Sequence, residues 1–271
     1  MNEFKTKYGP WAIVTGASSG IGKAFSEHLA KKGINIVAVA RNKENLRKLQ
    51  SCIEDQYAVK VKTIALDLYE PNAAVKIGEL TSDVDVGLVI ANAGIQNHGL
   101  FSESTDVDEL KLLALNVSGP MQLSHIFAKR LKLRGKGGIL FTSSGFGYQG
   151  VPYFANYSAS KAYLITLGEA LNVELKPYGI DVTVISPGYT NTPMAEGTPI
   201  DFNKMPIPQQ QPELVARVGL HALGKKATVV PGLINKALVW GNRLIPRIWP
   251  TKLLGLLIGY ARIDDRVDVN L

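Results

Sequence analysis

The chain has 271 residues, a length that suits one large α/β domain or two small ones. It is 46% hydrophobic and 20% charged, as a folded globular protein is, and its single cysteine, Cys52, excludes an internal disulfide. The net charge of +7 is spread along the chain and forms no basic stripe with interleaved aromatics. Nucleic acid is therefore not the expected partner, whereas an anionic cofactor or an anionic membrane surface suits this charge.

The first residues, 1–10, are polar and charged, and they lack the apolar run of a signal peptide. No stretch of the sequence reaches the roughly 20 uninterrupted apolar residues of a membrane-spanning helix. A single cysteine fits a reducing compartment. We therefore expect a cytoplasmic protein.

Short β-branched runs alternate with longer helical patterns along the chain. The predicted strands are Trp11–Thr15, Asn35–Ala40, Lys60–Leu66, Gly87–Ala91, Gly138–Thr142, Asp181–Ser186 and Thr228–Pro231. The predicted helices between them are Ile21–Lys32, Lys43–Gln56, Asn72–Leu80, Val107–Leu133, Tyr157–Lys176 and Pro212–Leu223. This alternation predicts an α/β fold, a doubly wound, Rossmann-type parallel sheet of seven strands with helices on both faces. With no internal repeat or linker, we expect one domain over residues 1–271, with ligands at the carboxyl ends of the strands.

A glycine-rich turn lies between the first predicted strand and the first predicted helix. Residues 15–22 read Thr-Gly-Ala-Ser-Ser-Gly-Ile-Gly, with the spacing Gly-x-x-x-Gly-x-Gly. Glycine permits unusual dihedral angles and a close approach to phosphate. A helix N-terminus offers free N–H groups and the positive end of its dipole to a pyrophosphate. The turn therefore favours dinucleotide binding over a purely structural role.

The second predicted strand ends in Ala40-Arg41-Asn42. At this position an acid would bind the ribose hydroxyls of NAD, whereas an arginine can hold the 2′-phosphate of NADP. No acid stands at 40 or 41, so Arg41 favours NADP(H), with Ser18 as a second contact. The alternative interpretation of Arg41 is a solvated surface side chain.

Tyr157 and Lys161 stand four residues apart in a predicted helix, on one face and about one turn from each other. A phenol alone is a poor acid–base group near neutral pH because its reference pKa is about 10. A nearby ammonium group favours the phenolate, so we expect Lys161 to lower the pKa of Tyr157 toward the range of a general acid–base catalyst. Such pairs also arise by chance on amphipathic helices, and the other motifs must decide.

Six motifs, taken in this order and spacing, resemble the short-chain dehydrogenase/reductase family in its compact single-domain branch. They are Gly16-x-x-x-Gly20-x-Gly22, Asn92-Ala93-Gly94, Asn116, Ser144, Tyr157-x-x-x-Lys161 and Pro187-Gly188. The resemblance covers roughly residues 8 to 231. The chain departs from the family at Ala91, since the common family motif is Asn-Asn-Ala-Gly.

The resemblance implies where the cofactor lies. Asp67 and Leu68 would contact the adenine, residues 92–94 would line the adenosine ribose, and residues 187–192 would position the nicotinamide. The implied cofactor contacts are Gly16, Ser18, Ser19, Gly20, Ile21, Arg41, Asp67, Leu68, Asn92, Ala93, Gly94, Tyr157, Lys161, Pro187, Gly188, Thr190 and Thr192.

The resemblance also implies four catalytic residues: Asn116, Ser144, Tyr157 and Lys161. Tyr157 would donate the proton during reduction and accept it during oxidation. Ser144 would bind the substrate oxygen, with Ser143 as the alternative if the loop is displaced by one residue. Lys161 would also bind the nicotinamide ribose, and Asn116 would hold a water that restores the proton.

No metal is expected, because the four histidines have no metal-ligand spacing. Two of the residues just past the fourth strand, Gln96 and His98, either line the substrate pocket or belong to a surface loop. The sequence leaves both interpretations open.

Residues 192–212 correspond to the substrate loop of the family and are rich in Pro and Gln. An apolar side predicts either a lid over a hydrophobic substrate or a loop packed on the core. The residues of this side are Met194, Ile200, Phe202, Met205 and Ile207.

An apolar extension over residues 232–271 follows the last predicted strand, with helical character at Leu233–Val239 and Thr251–Tyr260. Prolines and the charges at 243, 247 and 252 exclude a clean spanning helix. Trp, Arg and Lys beside apolar runs suit an interfacial membrane anchor. The same residues suit packing on the core or on another subunit, and we expect a homo-oligomer, a dimer or a tetramer.

The leading functional hypothesis is an NADP(H)-dependent oxidoreductase that interconverts a ketone or aldehyde and an alcohol. Its expected substrate is apolar: an acyl chain, a steroid or retinoid-like alcohol, or a xenobiotic carbonyl compound. The alternative hypothesis is a non-catalytic NADP(H)-binding sensor that acts through partners. The complete set of Ser144, Tyr157 and Lys161 favours the enzyme, since a sensor needs none of them for chemistry.

Overall fold

The computed structural model describes residues 3–205, 207–242 and 244–262. Its centre is one sheet in which every neighbouring pair of strands is parallel, in the order β3-β2-β1-β4-β5-β6-β7. The strands are β1 (Trp11–Thr15), β2 (Asn35–Ala40), β3 (Val61–Ala65), β4 (Val86–Ala91), β5 (Gly137–Thr142), β6 (Ile180–Ile185) and β7 (Thr228–Val229). The predicted doubly wound, seven-stranded parallel sheet is confirmed.

Helices cover both faces of this sheet. In the described residues they are α1 (Glu3–Tyr8), α2 (Gly20–Lys31), α3 (Lys43–Gln56), α4 (Ala73–Leu80), α5 (Asp106–Leu113), α6 (Gly119–Arg134), α7 (Ala155–Leu175), α8 (Pro193–Glu196), α9 (Pro212–Ala222), α10 (Leu233–Gly241) and α11 (Ile248–Ala261). Successive residues of a strand point to opposite faces. Accordingly, Ala12 and Val14 pack with α2, α3 and α9, whereas Ile13 packs with α4 and α6. Both faces of the sheet are therefore dry, which explains its continuous apolar strands.

Two predicted elements differ from the observed ones, and one observed helix was not predicted. The predicted helix Val107–Leu133 is divided into α5 and α6 by a π-helical turn at Ala114–Ser118. Strand β7 has two residues and ends before Pro231, which has no N–H to donate to a ladder. Helix α1 was not predicted, because its sequence is polar and shows no apolar period.

The last two helices, α10 and α11, return to the carboxyl ends of the strands. The inner face of α11 buries Pro250, Gly255, Ile258 and Ala261, and Ile258 and Ala261 belong to the same apolar cluster as Tyr157. Residue 243 and residues 263–271 of the predicted extension lie outside the described residues. The division into one domain of 1–271, a loop at 192–212 and an extension at 232–271 stays a prediction.

None of the helices in the described part of the chain has the length and apolarity needed to cross a bilayer.

Candidate active site

A cavity of about 460 Å³ opens at the carboxyl ends of the strands. Its wall contains every residue predicted as a cofactor contact, from Gly16 to Thr192, together with Ser144. Asn116 is the one predicted site residue that is not on this wall. The structure therefore brings together motifs that are spread over more than half of the sequence, at the edge where a doubly wound sheet binds its ligands.

The glycine turn has the geometry that only glycine tolerates. Gly16 and Gly20 have φ angles of +66° and +50°. A Cβ on Gly22 would lie 2.1 Å from the carbonyl oxygen of Gly16. Ser19 is the N-cap of α2, yet its hydroxyl makes no cap hydrogen bond, so the first N–H groups of the helix have no side-chain acceptor from the cap. Such a turn fits a pyrophosphate, which supplies acceptors at a helix N-terminus.

Asn92 ties β4 to β1 beside this turn. Its Nδ2 donates to the carbonyl oxygen of Thr15 at 3.1 Å, and Thr15 Oγ1 accepts from the backbone N–H groups of Asn92 and Ala93 at 3.0 and 3.1 Å. The departure from the family at Ala91 leaves these bonds intact, because they involve Asn92, the Thr15 hydroxyl and backbone groups but not the side chain at 91.

The end of the cavity beside β2 and β3 carries the residues that discriminate between dinucleotides. Arg41 is exposed and lies on the wall, as does Ser18. Asn42 is already engaged, since its side chain accepts from the N–H of Asn45 as the N-cap of α3. Asp67, the only acid on the wall among the described residues, accepts from the N–H of Tyr69 at 3.0 Å. A guanidinium group with no acid at 40–42 fits a 2′-phosphate.

Tyr157 and Lys161 lie on α7 and are almost fully buried. Lys161 Nζ is 5.6 Å from the centroid of the Tyr157 ring, and it donates to the carbonyl oxygen of Thr142 at 3.1 Å. The one-turn spacing thus places both functional groups on the same wall, as predicted.

The protonation of this pair differs from the expectation. Burial raises the pKa of Tyr157, while its hydrogen bond with Ser144 acts in the opposite direction. Burial also lowers the pKa of Lys161 to about 8. An ammonium that loses its charge so readily stabilises a phenolate weakly, and desolvation opposes the phenolate directly. The prediction that Lys161 lowers the pKa of Tyr157 is therefore wrong for the protein on its own.

The two adjacent serines face different partners. Ser143 Oγ donates to the carbonyl oxygen of Lys161 at 2.7 Å, inside the protein. Ser144 caps the 3₁₀ helix at Gly145–Tyr148 by accepting from the N–H of Phe146, and it also hydrogen-bonds Tyr157. The geometry favours Ser144 over Ser143 as the serine that meets a ligand beside Tyr157.

Asn116 is fully buried in the π-helical turn between α5 and α6. Its Oδ1 accepts from the N–H of Ile95 at 2.9 Å, and its Nδ2 donates to the carbonyl oxygen of Ile95 at 2.8 Å and to Ser160 Oγ at 3.1 Å. Turns of this kind occur often at functional sites. The turn aims Asn116 at the strand end next to Gly94, where a Cβ would meet both Asn116 Oδ1 and Lys161 Nζ.

The opposite end of the cavity is mostly apolar. Gln96 lies on its wall and donates to the carbonyl oxygen of Met194 and to Thr198 Oγ1, whereas the exposed His98 does not reach the wall. The open question about these two residues is thus answered differently for each.

The apolar side chains of the loop at 192–212 divide between the core and the cavity wall, and its role as a lid over a substrate stays a prediction. Ile200 and Met205 are buried in the core, while Met194, Phe202 and Ile207 line the cavity. The ring of Phe202 stacks on Tyr189 with centroids 4.1 Å apart.

The extension closes the same end of the cavity within its own chain. Leu254 and Leu257 of α11 line the wall, and the side chain of Asn235 of α10 sits against Gly188, where a Cβ would lie 2.4 Å from Asn235 Nδ2. The N–H of Asp201 in the loop donates to the carbonyl oxygen of Ala261 at 2.8 Å. Nothing in the amino-acid pattern of these apolar helices indicates which of their sides faces the cavity.

The sequence analysis missed several polar residues of the wall, among them Gln149 and Asn242. Gln149 follows Ser144 by five residues, and Asn242 is the C-cap of α10; Asn242 Nδ2 donates to Gln149 Oε1 at 2.9 Å. The short distance from Ser144 along the chain was the available signal for Gln149. The part of the chain that the structure describes contains no group of three or more His, Cys, Asp or Glu side chains that could hold a metal ion.

Comparison with known proteins agrees with this geometry. The model of a family described as short chain dehydrogenase matches residues 10–201. A 7beta-hydroxysteroid dehydrogenase of Clostridium sardiniense is 32% identical over 245 residues, which cover 90% of this chain and 94% of that protein.

Two solved structures are similar over most of their length. One, from a study of the stereoselectivity of 7beta-hydroxysteroid dehydrogenase, has a TM-score of 0.85 at 26% identity and covers 93% of this chain and 98% of its own. The other, a short-chain dehydrogenase from Sphingobium yanoikuyae in complex with NADPH, has a TM-score of 0.77 at 29% identity, with coverages of 87% and 93%.

Proposed function

The chain belongs to the short-chain dehydrogenase/reductase family, and we propose that it is an NADP(H)-dependent member that interconverts an apolar ketone or aldehyde and the corresponding alcohol. Family membership makes it an oxidoreductase of CH–OH and C=O groups. The proposed cofactor and substrate class rest on one observation: the candidate catalytic and cofactor residues line the same cavity. Ser144, Tyr157 and Lys161 lie between a dinucleotide-type cleft and an apolar end of one cavity.

In this proposal Tyr157 moves the proton. Reduction of a carbonyl builds negative charge on the substrate oxygen, which needs a proton and hydrogen-bond donors. Burial keeps Tyr157 protonated, so it is ready to donate to that oxygen, and Ser144 donates a second hydrogen bond there. In the oxidative direction Tyr157 accepts the proton.

Lys161 and Asn116 support this transfer by supplying protons to the site and removing them from it. With a pKa of about 8, Lys161 exchanges protons readily near neutral pH. Asn116 reaches the same strand end through Ile95, and we assign it the role of holding a water that passes protons to Lys161.

The wall residues would hold the dinucleotide from Gly16 to Thr192, and the bound cofactor would supply or take up the hydride. Arg41 and Ser18 support NADP(H) over NAD(H), because a guanidinium group binds a phosphate well and no acid competes for the ribose hydroxyls. The NADPH bound in the Sphingobium yanoikuyae relative adds support.

The substrate is apolar in this proposal. Phe146, Ile207, Leu254 and Leu257 line the end of the cavity opposite the glycine turn. Removing apolar surface from water favours binding by about 25 cal/mol per Å². Among the apolar classes expected from the sequence, the steroid class has the further support of the 7beta-hydroxysteroid dehydrogenase relative.

The test is consumption of NADPH and of NADH with a panel of apolar ketones and aldehydes, including 7-oxosteroids and 3-oxoacyl thioesters. We expect turnover with NADPH and a loss of at least a hundredfold in Tyr157→Phe, on the scale of general acid–base catalysis, about 10²–10⁴. NADPH binding without turnover on any compound would favour the sensor hypothesis, which the complete set of Ser144, Tyr157 and Lys161 argues against.

The outer face of α11 is apolar as well. Trp249, Leu253, Leu256 and Tyr260 recur at helical spacing on this face and are 58–72% exposed. A helix that is apolar all round is normally buried on every side. At 14 residues, or about 21 Å, α11 is too short to cross a bilayer of about 30 Å. The exposed apolar outer face of α11 therefore indicates a surface that is covered by another molecule.

We infer that this outer face lies on an anionic membrane surface. No acid occurs between Glu213 and Asp264, while the extension carries several Lys and Arg residues, among them Lys236 and Lys252. Trp and Tyr beside basic residues are typical of interfacial helices. Attachment to a membrane surface agrees with the predicted cytoplasmic location. That location stays a prediction, as does assembly into a dimer or tetramer.

A further inference from the structure

Residues 187–192, the 187–192 segment, follow β6 and line the cavity with every residue except Asn191. The segment belongs to none of the seven strands, so no ladder of the sheet fixes its position. In the proposed function it lies at the nicotinamide end of the dinucleotide. The contacts that hold this backbone in place are therefore part of the site, even where they lie behind the wall.

A buried glutamine, Gln210, is bonded to this segment through both its backbone and its side chain. Its N–H donates to the carbonyl oxygen of Tyr189 at 2.8 Å, and its carbonyl oxygen accepts from the N–H of Asn191 at 2.9 Å. Its side-chain Oε1 accepts from the N–H of Gly188 at 3.4 Å, and its Nε2 donates to the carbonyl oxygen of Pro231 at 3.0 Å. Gln210 is 5% exposed and does not line the cavity, so it holds the segment from behind.

Asn235, on α10, packs directly on Gly188. Its Nδ2 donates to the carbonyl oxygen of Pro231 at 3.1 Å, an acceptor that it shares with Gln210. A Cβ on Gly188 would have its three nearest neighbours in the Asn235 side chain, at 2.4, 2.6 and 2.7 Å. Gly188 has no positive φ angle, so contact with Asn235, and not backbone conformation, requires a glycine here.

The two buried amide side chains define the position of the segment. A buried amide costs free energy when its hydrogen bonds are not made. The side-chain bonds of Gln210 and Asn235 end on Gly188 and Pro231, so a shift of either backbone group breaks them. Apolar side chains would fill the same space but would allow the segment to slide. The amides therefore indicate a backbone whose position is closely fixed.

We propose that Gln210 and Asn235 are positioning residues for the nicotinamide end of the dinucleotide. They act through the backbone of the 187–192 segment and take no part in the chemistry. The proposal rests on the proposed function and makes α10 a support of the cofactor site as well as a part of the substrate wall. Small displacements of such supports are expensive, up to about a hundredfold per ångström.

The experiment compares, by calorimetry, the binding of NADP⁺ with that of ADP-ribose 2′-phosphate, which is NADP⁺ without its nicotinamide ring. Gln210→Ala and Asn235→Ala should each weaken NADP⁺ binding about tenfold and change the affinity for the ring-free ligand less than about twofold. Binding of the ring-free ligand also shows that each variant is folded. Equal losses for the two ligands, or no loss for either, would overturn the proposal.

The contact between Asn235 and Gly188 is tested with Gly188→Ala. In the otherwise unmodified protein this change should weaken NADP⁺ binding about tenfold, because the new Cβ collides with Asn235. In the Asn235→Ala protein the collision is removed, and the same change should cost less than about threefold. Equal losses in the two backgrounds would show that Asn235 does not position Gly188.

Gln209→Ala is the matched control, because Gln209 is the exposed neighbour of Gln210, bonds the hydroxyl of Tyr189 and does not line the cavity. It should leave both affinities unchanged. The measurement is binding, so it decides the proposal even if the protein reduces no ketone and the proposed reaction fails. If the unmodified protein prefers NAD⁺, the same comparison is made with NAD⁺ and ADP-ribose. Binding of neither dinucleotide would overturn the proposed function and this proposal together.

Discussion

Ser143 and Lys161 are joined, between the end of β5 and α7, by a hydrogen bond of 2.7 Å from the serine hydroxyl to the lysine carbonyl oxygen. The bond fixes β5 to the helix that carries Tyr157, and it occupies the proton of the Ser143 hydroxyl. Its neighbour Ser144 keeps its hydroxyl at Tyr157 and on the cavity wall. Two adjacent serines thus have separate tasks, one in the scaffold and one at the site.

The serine pair can be separated by turnover. Ser144→Ala should lower kcat about a hundredfold or more, the usual loss when one donor to a developing oxyanion is removed, about 10²–10³. Ser143→Ala should keep kcat within a few-fold and lower the free energy of unfolding by about 1 kcal/mol, the typical net value of one hydrogen bond. Steady-state kinetics and denaturant unfolding measure the two effects. A larger loss of kcat in Ser143→Ala would reverse the assignment.

Arg41 should set the cofactor preference. Arg41→Asp removes the cation for a 2′-phosphate and adds an acid for ribose hydroxyls. We expect the KM for NADPH to rise about tenfold to a hundredfold, since a hydrogen bond to a charged group contributes about 1.5–3 kcal/mol, and the KM for NADH to fall. Arg47→Asp is the control, because Arg47 lies on the exposed side of α3 and off the wall. An unchanged NADPH/NADH ratio in Arg41→Asp would contradict the NADP(H) assignment.

The buried Lys161 makes stability depend on pH. Its pKa is about 8 in the folded protein and about 10.4 in an unfolded chain, so between these values the unfolded state binds more protons. Stability should therefore rise with pH in that window. From pH 7 to 9.5 the wild type should gain about 2 kcal/mol of unfolding free energy relative to Lys161→Met. Denaturant unfolding at several pH values measures the gain.

Lys176→Met, which removes an exposed lysine after α7, is the matched control for that experiment. Its unfolding free energy should follow that of the wild type across the same pH range. A constant difference between the wild type and Lys161→Met would mean that Lys161 is not desolvated in the folded protein.

Gly94 keeps a space between Asn116 and Lys161. A Cβ at this position would lie 2.8 Å from Asn116 Oδ1 and 3.4 Å from Lys161 Nζ, so Gly94→Ala must displace one of them. We expect kcat to fall at least tenfold, because small displacements of supporting groups are expensive in catalysis, up to about a hundredfold per ångström. Gly241→Ala, where a Cβ meets nothing within 4 Å, should leave kcat unchanged. Equal kcat values for the two variants would show that the space is not needed.

The outer face of α11 can be tested with vesicles. Full-length protein should sediment with phosphatidylserine-containing vesicles and much less with pure phosphatidylcholine, since the basic extension favours anionic lipid. Trp249→Ser with Leu256→Ser should weaken this binding at least tenfold. Leu133→Ser, at a leucine of α6 that is 93% exposed, is the control. Failure of the wild type to sediment, with a smaller oligomer in the double variant by light scattering, would assign the face to a second copy instead.

Much of this architecture could be predicted from the sequence because it follows from local rules. The strands and helices of the dinucleotide half were within a residue or two of their observed limits, since alternating apolar periods and glycine turns report directly on backbone geometry. The candidate cofactor residues all reached one wall for the same reason: parallel strands end at one edge.

The features that escaped prediction depend on distant contacts. The π-helical turn at Asn116 is held by hydrogen bonds of Asn116 to Ile95 and Ser160. The sequence of residues 107–133 alone does not indicate such a turn. The pKa of Tyr157 is raised because its side chain is buried. The one-turn spacing between Tyr157 and Lys161 contains no information about that burial. The inner and outer faces of α11 are both apolar, so its period gives no orientation.

The N–H of Asp201 donates to the carbonyl oxygen of Ala261, and this bond ties the loop at 192–212 to the last helix. The substrate loop and the last helix are about sixty residues apart in the chain, yet Ile200 also forms a bridge with Arg262, so the two segments share backbone pairing. Because backbone pairing joins the two segments, a movement of one is passed to the other, and the apolar end of the cavity has a single two-part cover.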